Sequence, residues 1–342
     1  MEIASSKKTL ALIFLVLLLA FLAAFLAGWW VRGNSVFQNK KTIVEKIIPK
    51  PFEVYSLESL AKSPYPAGML KIKDPTANEN FDSYTLDFTF SPKPDGKDVK
   101  TTTGVVNVPK NKTGKLPLVL MIRGYVDPEI YKPGVGTNKA AQVFTKNGYI
   151  TVAPDFLGYS QSDINSANIF ESRFQTYTTV LSLLNSLDQI NDWDKKNIFI
   201  WAHSNGGQIA LTTLEVTGKN IPTTLWAPVF KPFPYSILYY TDESQDKGKL
   251  IRRELSKFED LYDSDKYSLD EYLENITAPL QIHQGTADDA VPVDWSRSLS
   301  KKLKTMEKEV TYFEYSGSDH NLQPAWNTAV ERDLAFFQKY LL

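Results

Sequence analysis

The chain opens on a run with no hydrophobic alternation. Residues 9–31, TLALIFLVLLLAFLAAFLAGWWV, carry no charge. That length suits one transmembrane helix, which needs about 20 apolar residues. Residues 1–8, MEIASSKK, form a short leading segment, and Arg32, Lys40 and Lys41 follow the run. A cleaved signal peptide has a shorter apolar region and a small-residue cleavage site. FLAGWWV offers a poor one, and Trp29 and Trp30 match interfacial anchors. The expectation is an uncleaved signal-anchor in a single-pass membrane protein. Positive charge lies on both sides of the run. Large domains translocate regardless of nearby charge, so an inside N-terminus and an extracytoplasmic main domain are expected.

Residues 32–81 hold several prolines and little periodicity and read as a stalk or linker, with room for short helices. The pattern changes at 82. Tyr84, Leu86, Phe88 and Phe90 alternate with polar residues, PKPDGK marks a turn, and Val105–Val108 continue as a second strand. This predicts an antiparallel hairpin. KLPLVLMIRGY, residues 115–125, is a continuous apolar run, as in a strand buried on both faces. Helical and strand patterns then alternate. NKAAQVFTKNG is a helix, YITVAP a strand, and 170–190 an amphipathic helix. NIFIWAHS is a strand, GGQIALTTLEVTG a helix, and IPTTLWAPV, PLQIHQG and VTYFEY are strands before a last helix from Pro324. Alternation of this kind predicts a mainly parallel sheet with helices on both faces. Residues 231–277 break the rhythm with aromatic and charged helical stretches too long for a simple loop. They read as a small helical cap inserted between strands, or else as a surface excursion.

Composition narrows the chemistry. The 342 residues carry a net charge of −1, which gives no reason to expect a nucleic-acid partner. There is no cysteine, so disulfides, thiolate metal sites and cysteine nucleophiles are excluded. The three histidines, His203, His283 and His320, are too few for a histidine-rich metal cluster, and no metal or organic cofactor is expected.

The candidate chemistry lies at the end of NIFIWAHS. A strand running into Ala202-His203-Ser204-Asn205-Gly206-Gly207 and then a helix is the setting of a nucleophile elbow. The usual Gly-x-Ser-x-Gly has alanine in first place here. The bland alternative is a serine helix cap on a tight turn. Ser204 needs a base. His203 is adjacent and points away at such a corner, so it reads as support. His283 lies within a strand and reads as structural. His320, in the loop SGSDHNLQP after the last strand, is the expected base. GTADDAVPVD offers Asp288, Asp289 and Asp294, and Asp288 at the strand exit is the expected acid, with Asp319 a competitor. The order Ser204, Asp288, His320 is that of the alpha/beta hydrolases. Asn205 N–H and Tyr125 N–H, after the IRG turn, are the expected oxyanion donors. The Tyr125 ring could line a pocket, and Arg123 could make a structural ion pair.

AHSNGGQIA, QGTADDAVPVDWS and YSGSDHN together carry a resemblance. The sequence resembles the catalytic domain of the prolyl oligopeptidase (S9) family of serine peptidases, from about residue 82 to 342. The resemblance implies an alpha/beta-hydrolase fold, with that family's nucleophile, acid and base at Ser204, Asp288 and His320. The chain has no room for the substrate-filtering propeller of the larger members, and no acidic pair that would hold a free amino terminus. The first expectation is therefore a serine hydrolase of peptide bonds. Alternatives are a carboxylesterase or lipase-like enzyme of small acyl esters, and a non-catalytic binding module on the same fold.

Overall fold

The computed structural model describes residues 3–38, 49–77, 79–110, 112–241 and 244–342. They fall into two units, Met1–Pro49 and Lys50–Leu342. The first unit is one helix, α1 (Ile3–Gln38). Its stretch Leu12–Arg32 is long and apolar enough to cross a membrane. Leucines, phenylalanines and both tryptophans of this stretch are exposed around the whole helix. A helix apolar on every side has no single face to bury against a soluble core. Membrane anchors and signal sequences share this character. Residues 39–48 of the expected stalk lie outside the described residues.

The second unit is an alpha/beta-hydrolase fold. Its sheet has nine strands among the described residues. They are β1 (Met69–Ala77), β2 (Phe81–Phe90), β3 (Lys100–Pro109), β4 (Leu116–Ile122), β5 (Ile150–Pro154), β6 (Trp193–His203), β7 (Thr223–Trp226), β8 (Leu280–Gly285) and β9 (Val310–Tyr315). The spatial order is β1-β2-β3-β5-β4-β6-β7-β8-β9. The first three strands pair antiparallel and β3 meets β5 antiparallel; from β5 to β9 every pairing is parallel. The sheet is mixed and mostly parallel. The expected hairpin is β2–β3, with Phe88 opposite Thr102.

The apolar runs explain the layers. Successive strand residues face opposite sides, so a run without polar interruption feeds two cores. On β4, Leu118, Leu120 and Ile122 enter one core, and Val119 and Met121 enter the other. On β6, Ile200 and Ala202 share the first core, and Phe199 and Trp201 the second. Helices α3 (Asn138–Lys146) and α9 (Trp326–Lys339) cover the second core through Phe144 and Phe337. Helices α4 (Ile169–Leu184), α5 (Asn205–Thr217) and α8 (Val293–Thr305) cover the first through Phe174, Leu214 and Leu299.

Three expectations need correction. The stalk does not extend to residue 81. From residue 50 the chain belongs to the domain: Ser56 caps α2 (Leu57–Lys62), Tyr55, Leu57 and Leu60 are buried, and β1 forms the sheet edge. These apolar side chains are irregularly spaced, so their burial is set by tertiary contacts. The helix α8, within the stretch after Asp288, was not anticipated. The third correction concerns 231–277, of which residues 242 and 243 lie outside the described residues. The segment holds α6 (Tyr235–Leu238), α7 (Lys249–Glu259) and short 3₁₀ turns. Phe233 and Phe258 pack against Phe170 and Phe174 of α4 in tilted and edge-on contacts, Tyr267 stacks on Phe174, and Phe52 stacks on Phe258. The insertion therefore completes the core beside α4 and α5.

One buried group on this face is unmatched. Neither carboxylate oxygen of Glu215, on α5, has a hydrogen-bond partner among the described residues. Burial, and then the nearby charges of Asp270 and Glu274, hold its pKa well above the ordinary 4.5. Below pH 4.5 folded and unfolded chains both hold this proton. As pH rises, only the unfolded chain releases it, so stability falls toward the raised folded pKa. Glu215→Met is expected to raise stability by about 1–3 kcal/mol at pH 8. The gain should vanish toward pH 4.5 in urea unfolding followed across pH. A gain of equal size at every pH would show that Glu215 does not fold as a neutral acid.

Candidate active site

Strand β6 ends at His203 and α5 begins at Asn205, so Ser204 alone makes the corner. Its φ of 56° and ψ of −123° lie where side chains other than glycine are strained. The surroundings hold it there. Ser204 N–H donates to Trp226 O at 2.8 Å, and Val229 N–H donates to Ser204 O at 3.0 Å. The helix start is pressed against the end of β4. A Cβ on Gly206 would stand 2.1 Å from Ile122 O, and one on Gly207 would stand 2.6 Å from Pro228 Cβ. Ala202, in the place of the usual first glycine, is fully buried and its methyl joins the core. The substitution is therefore compatible with the corner. Across from Ser204, a Cβ on Gly124 would lie 2.7 Å from Ser204 Cβ and 3.3 Å from Ser204 Oγ. This close approach sets the backbone of Gly124 and Tyr125 beside the hydroxyl.

The loops after β8 and β9 bring Asp288 and His320 together. His320 Nδ1 lies 2.9 Å from Asp288 Oδ2 and 3.1 Å from Oδ1. A carboxylate only accepts, so Nδ1 carries the proton and Nε2 is left with a free lone pair. The Asp288 side chain is fully buried. Burial pushes its pKa up, but donation from His320, Val291 N–H and Gln284 outweighs this, and the carboxyl is held below its usual range. Gln284 is itself buried on β8, donating to Asp288 at 2.9 Å and accepting from Ser296 at 2.7 Å. Asp319 faces its own loop, accepting from Asn321 N–H and Gln323 N–H. Asp289 is exposed, and Asp294 pairs with Arg297.

The other two histidines separate cleanly. His203 Nε2 lies 3.0 Å from His320 O, so it donates to that carbonyl and ties the His320 loop to β6. Its ring centroid is 4.6 Å from that of His320. Burial, and then the neighbouring His320, push its pKa down to about 4. His203 is thus a neutral strut at ordinary pH. His283 lies in a closed buried network, with Nδ1 2.7 Å from Tyr315 Oη and Nε2 2.9 Å from Asp333 Oδ1.

A cavity of about 370 Å³ opens beside the corner, lined by Gly124, Tyr125, Tyr159, Arg173 and Asn205 among others. Tyr125 stands at 74% exposure, its hydroxyl pKa raised by partial burial and then by Tyr159 and Asp127. No residue of 231–277 lines the cavity among the described residues. Arg123 forms no ion pair among them; it donates to the carbonyls of Gly124 and Asp155 and lies over the rings of Tyr159 and Tyr131. No group of three or more potential metal ligands occurs among the described residues. Sequence reasoning missed Gln284 and Arg173. Gln284 shares β8 with Gln281 and His283, so its polarity did not single it out. Arg173 sits on an ordinary helical position and gave no signal.

The close approach at Gly124 is testable. Gly124→Ala places a methyl against Ser204 and is expected to lower kcat/KM by about 100-fold, as for loss of one oxyanion donor. Thermal unfolding, measured alongside, reports what the same contact costs in stability. Activity within two-fold of wild type would mean that the turn does not abut the hydroxyl.

Comparison with known proteins agrees with this architecture. The prolyl oligopeptidase family (Peptidase_S9) matches residues 136–342. The uncharacterized peptidase YtmA of Bacillus subtilis is 26% identical over 205 residues, which cover 57% of this chain and 74% of YtmA. Among solved structures, the acetyl xylan esterase from Paenibacillus sp. R4 superposes with a TM-score of 0.62 at 15% identity, covering 86% of this chain and 96% of the esterase. A protein assigned as a dipeptidyl aminopeptidase IV from Bacteroides ovatus gives 0.55 at 14% identity, covering 86% of this chain and 37% of its own. These similarities share the fold built above, and the family match spans more than half of the residues, including the Ser204 corner and both loops that meet beside it. The chain therefore belongs to the prolyl oligopeptidase family and is an alpha/beta-hydrolase enzyme of the serine-hydrolase type.

Proposed function

We propose that the chain hydrolyses carboxylic esters through Ser204, His320 and Asp288. The observation that carries the catalytic assignment is the buried Asp288 bonded to His320 in loops beside the strained Ser204. His320 Nε2 takes the Ser204 proton as Oγ attacks the acyl carbon. The backbone N–H groups of Asn205 and Tyr125 receive the oxyanion. The protonated imidazole then passes its proton to the leaving alcohol, and water, activated by the same ring, releases the acid. Asp288 keeps Nδ1 protonated and stabilises the imidazolium. Ser204 Oγ and His320 form no hydrogen bond in this structure, which is common before substrate binds.

Two observations favour esters over peptides. The chain matches 96% of the length of an acetyl xylan esterase but 37% of the aminopeptidase. Among the described residues the cavity also has no acidic lining residue to hold a peptide ammonium. The second reading, peptide-bond cleavage, is favoured by the family match and by YtmA. The helix α1 is proposed as a membrane anchor that holds the hydrolase domain outside the cytoplasm.

A fluorophosphonate probe is expected to label wild type and to fail on Ser204→Ala. Asp288→Asn should lower kcat roughly 10³- to 10⁴-fold with the fold intact. Equal labelling of wild type and Ser204→Ala would remove the nucleophile assignment. A panel of short-chain esters and peptide amides should show turnover of esters; turnover of amides alone would establish the second reading. In fractionated cells the full chain should stay with membranes after alkaline carbonate washing. Release of a chain lacking residues 1–31 would show cleavage in place of anchoring.

A further inference from the structure

The cavity beside Ser204 carries a charge imbalance that the proposed reaction does not use. Arg123 and Arg173 both line it, and among the described residues no Asp or Glu does. Arg123 is committed elsewhere, with its guanidinium 3.9 Å from the Tyr159 ring centre and its donors on two backbone carbonyls. Arg173 is different. Its Nη2 donates to Gln208 Oε1 and lies 3.5 Å from Ser236 Oγ. Gln208 is oriented in turn, donating from Nε2 to Tyr177 Oη at 3.2 Å. These acceptors are neutral, so they position the guanidinium without cancelling its charge. Its Nε–H, like that of Arg123, is buried and has no acceptor among the described residues; what sets Arg173 apart is that it donates to neutral side chains of the pocket wall. Arg173 forms no ion pair among the described residues. Asp288, the acid of the site, is already taken up by His320, Gln284 and two backbone N–H groups. Gln208 lies one turn beyond Ser204 on α5, so the guanidinium is held to the nucleophile's own helix.

A guanidinium that lines the cavity and is held only by neutral acceptors keeps its charge and is suited to attract a substrate carboxylate. We propose that Arg173 anchors a carboxylate on the substrate, so that the preferred esters bear a second, ionised carboxyl group, as half-esters of dicarboxylic acids do. This rests on the ester reading of the site. Water is added across the ester C–O bond, and the anchored carboxylate leaves unchanged.

The test compares p-nitrophenyl half-esters of succinic, glutaric and adipic acids with their methyl-capped neutral analogues. Wild type is expected to prefer the anionic ester by roughly ten-fold in kcat/KM at the best chain length. In Arg173→Gln the anionic-to-neutral ratio should fall by about ten-fold, with Arg173→Lys in between. The ratio is taken within one variant, so a loss of folded protein cancels. An unchanged ratio in Arg173→Gln, or a wild-type preference for the neutral ester, overturns the inference and leaves ester hydrolysis standing. Should wild type turn over neither ester, the ester reading fails by itself. Calorimetric titration with glutarate and glutaramide then decides Arg173 without turnover. Glutarate should bind wild type about ten-fold more tightly than Arg173→Gln, and more tightly than glutaramide. Equal glutarate binding by the two proteins overturns the inference.

Discussion

Backbones meet within van der Waals contact at Ser204, and glycines are what let them approach. Side chains at Gly124, Gly206 or Gly207 would collide with Ser204, the end of β4 or Pro228. The contacts force the chain to turn from β6 into α5 within one residue, and that residue adopts a strained conformation worth about 1–3 kcal/mol. Hydrogen bonds to Trp226 and Val229 and the packing of two cores offset the strain. The hydroxyl is thereby set at the sheet's carboxyl edge, next to the start of a helix. Everything proposed for the site depends on that placement.

A second close approach serves the partner loop. Gly285 at the end of β8 lies so near Ser318 and Asp319 that a Cβ would stand 2.2 Å from Ser318 O. His203 ties down the same loop from β6 by donating to His320 O. The loop bearing His320 is thus held from two strands, while Asp288 fixes its ring. The neutral state of His203 matters here: a carbonyl needs one donor, and a second cation beside His320 would oppose the imidazolium expected during catalysis. On the same side, α4 and α5 exchange contacts through Arg173 and Gln208.

Legibility followed the range of the interactions. The elbow was readable because strand, small residues and helix are contiguous in sequence. Asp288 and His320 were readable because each follows a strand whose pattern is local. Strand β4 was likewise readable from an uninterrupted apolar run, and β5 to β9 from short strand patterns alternating with helices. The segment 50–65 was not, since Tyr55 and Leu60 are buried by α4 and by the insertion and show no period of their own. The insertion looked like a cap for the same reason: its aromatic residues could face a pocket or a core, and only their partners distinguish the two. Arg173 and Gln284 belong to ordinary helix and strand positions, and their roles exist only through contacts distant in sequence.

By itself the sequence determined an apolar N-terminal helix, an alternating strand and helix order, and a serine corner followed by an acid and a histidine in hydrolase order. These are properties of neighbouring residues, governed by side-chain periodicity and backbone freedom. The tertiary structure alone decided that His203 holds the His320 carbonyl, that the insertion fills the core beside α4 and α5, and that an arginine held by neutral acceptors lines the cavity. Such outcomes depend on which surfaces exclude water together, and no local pattern encodes that.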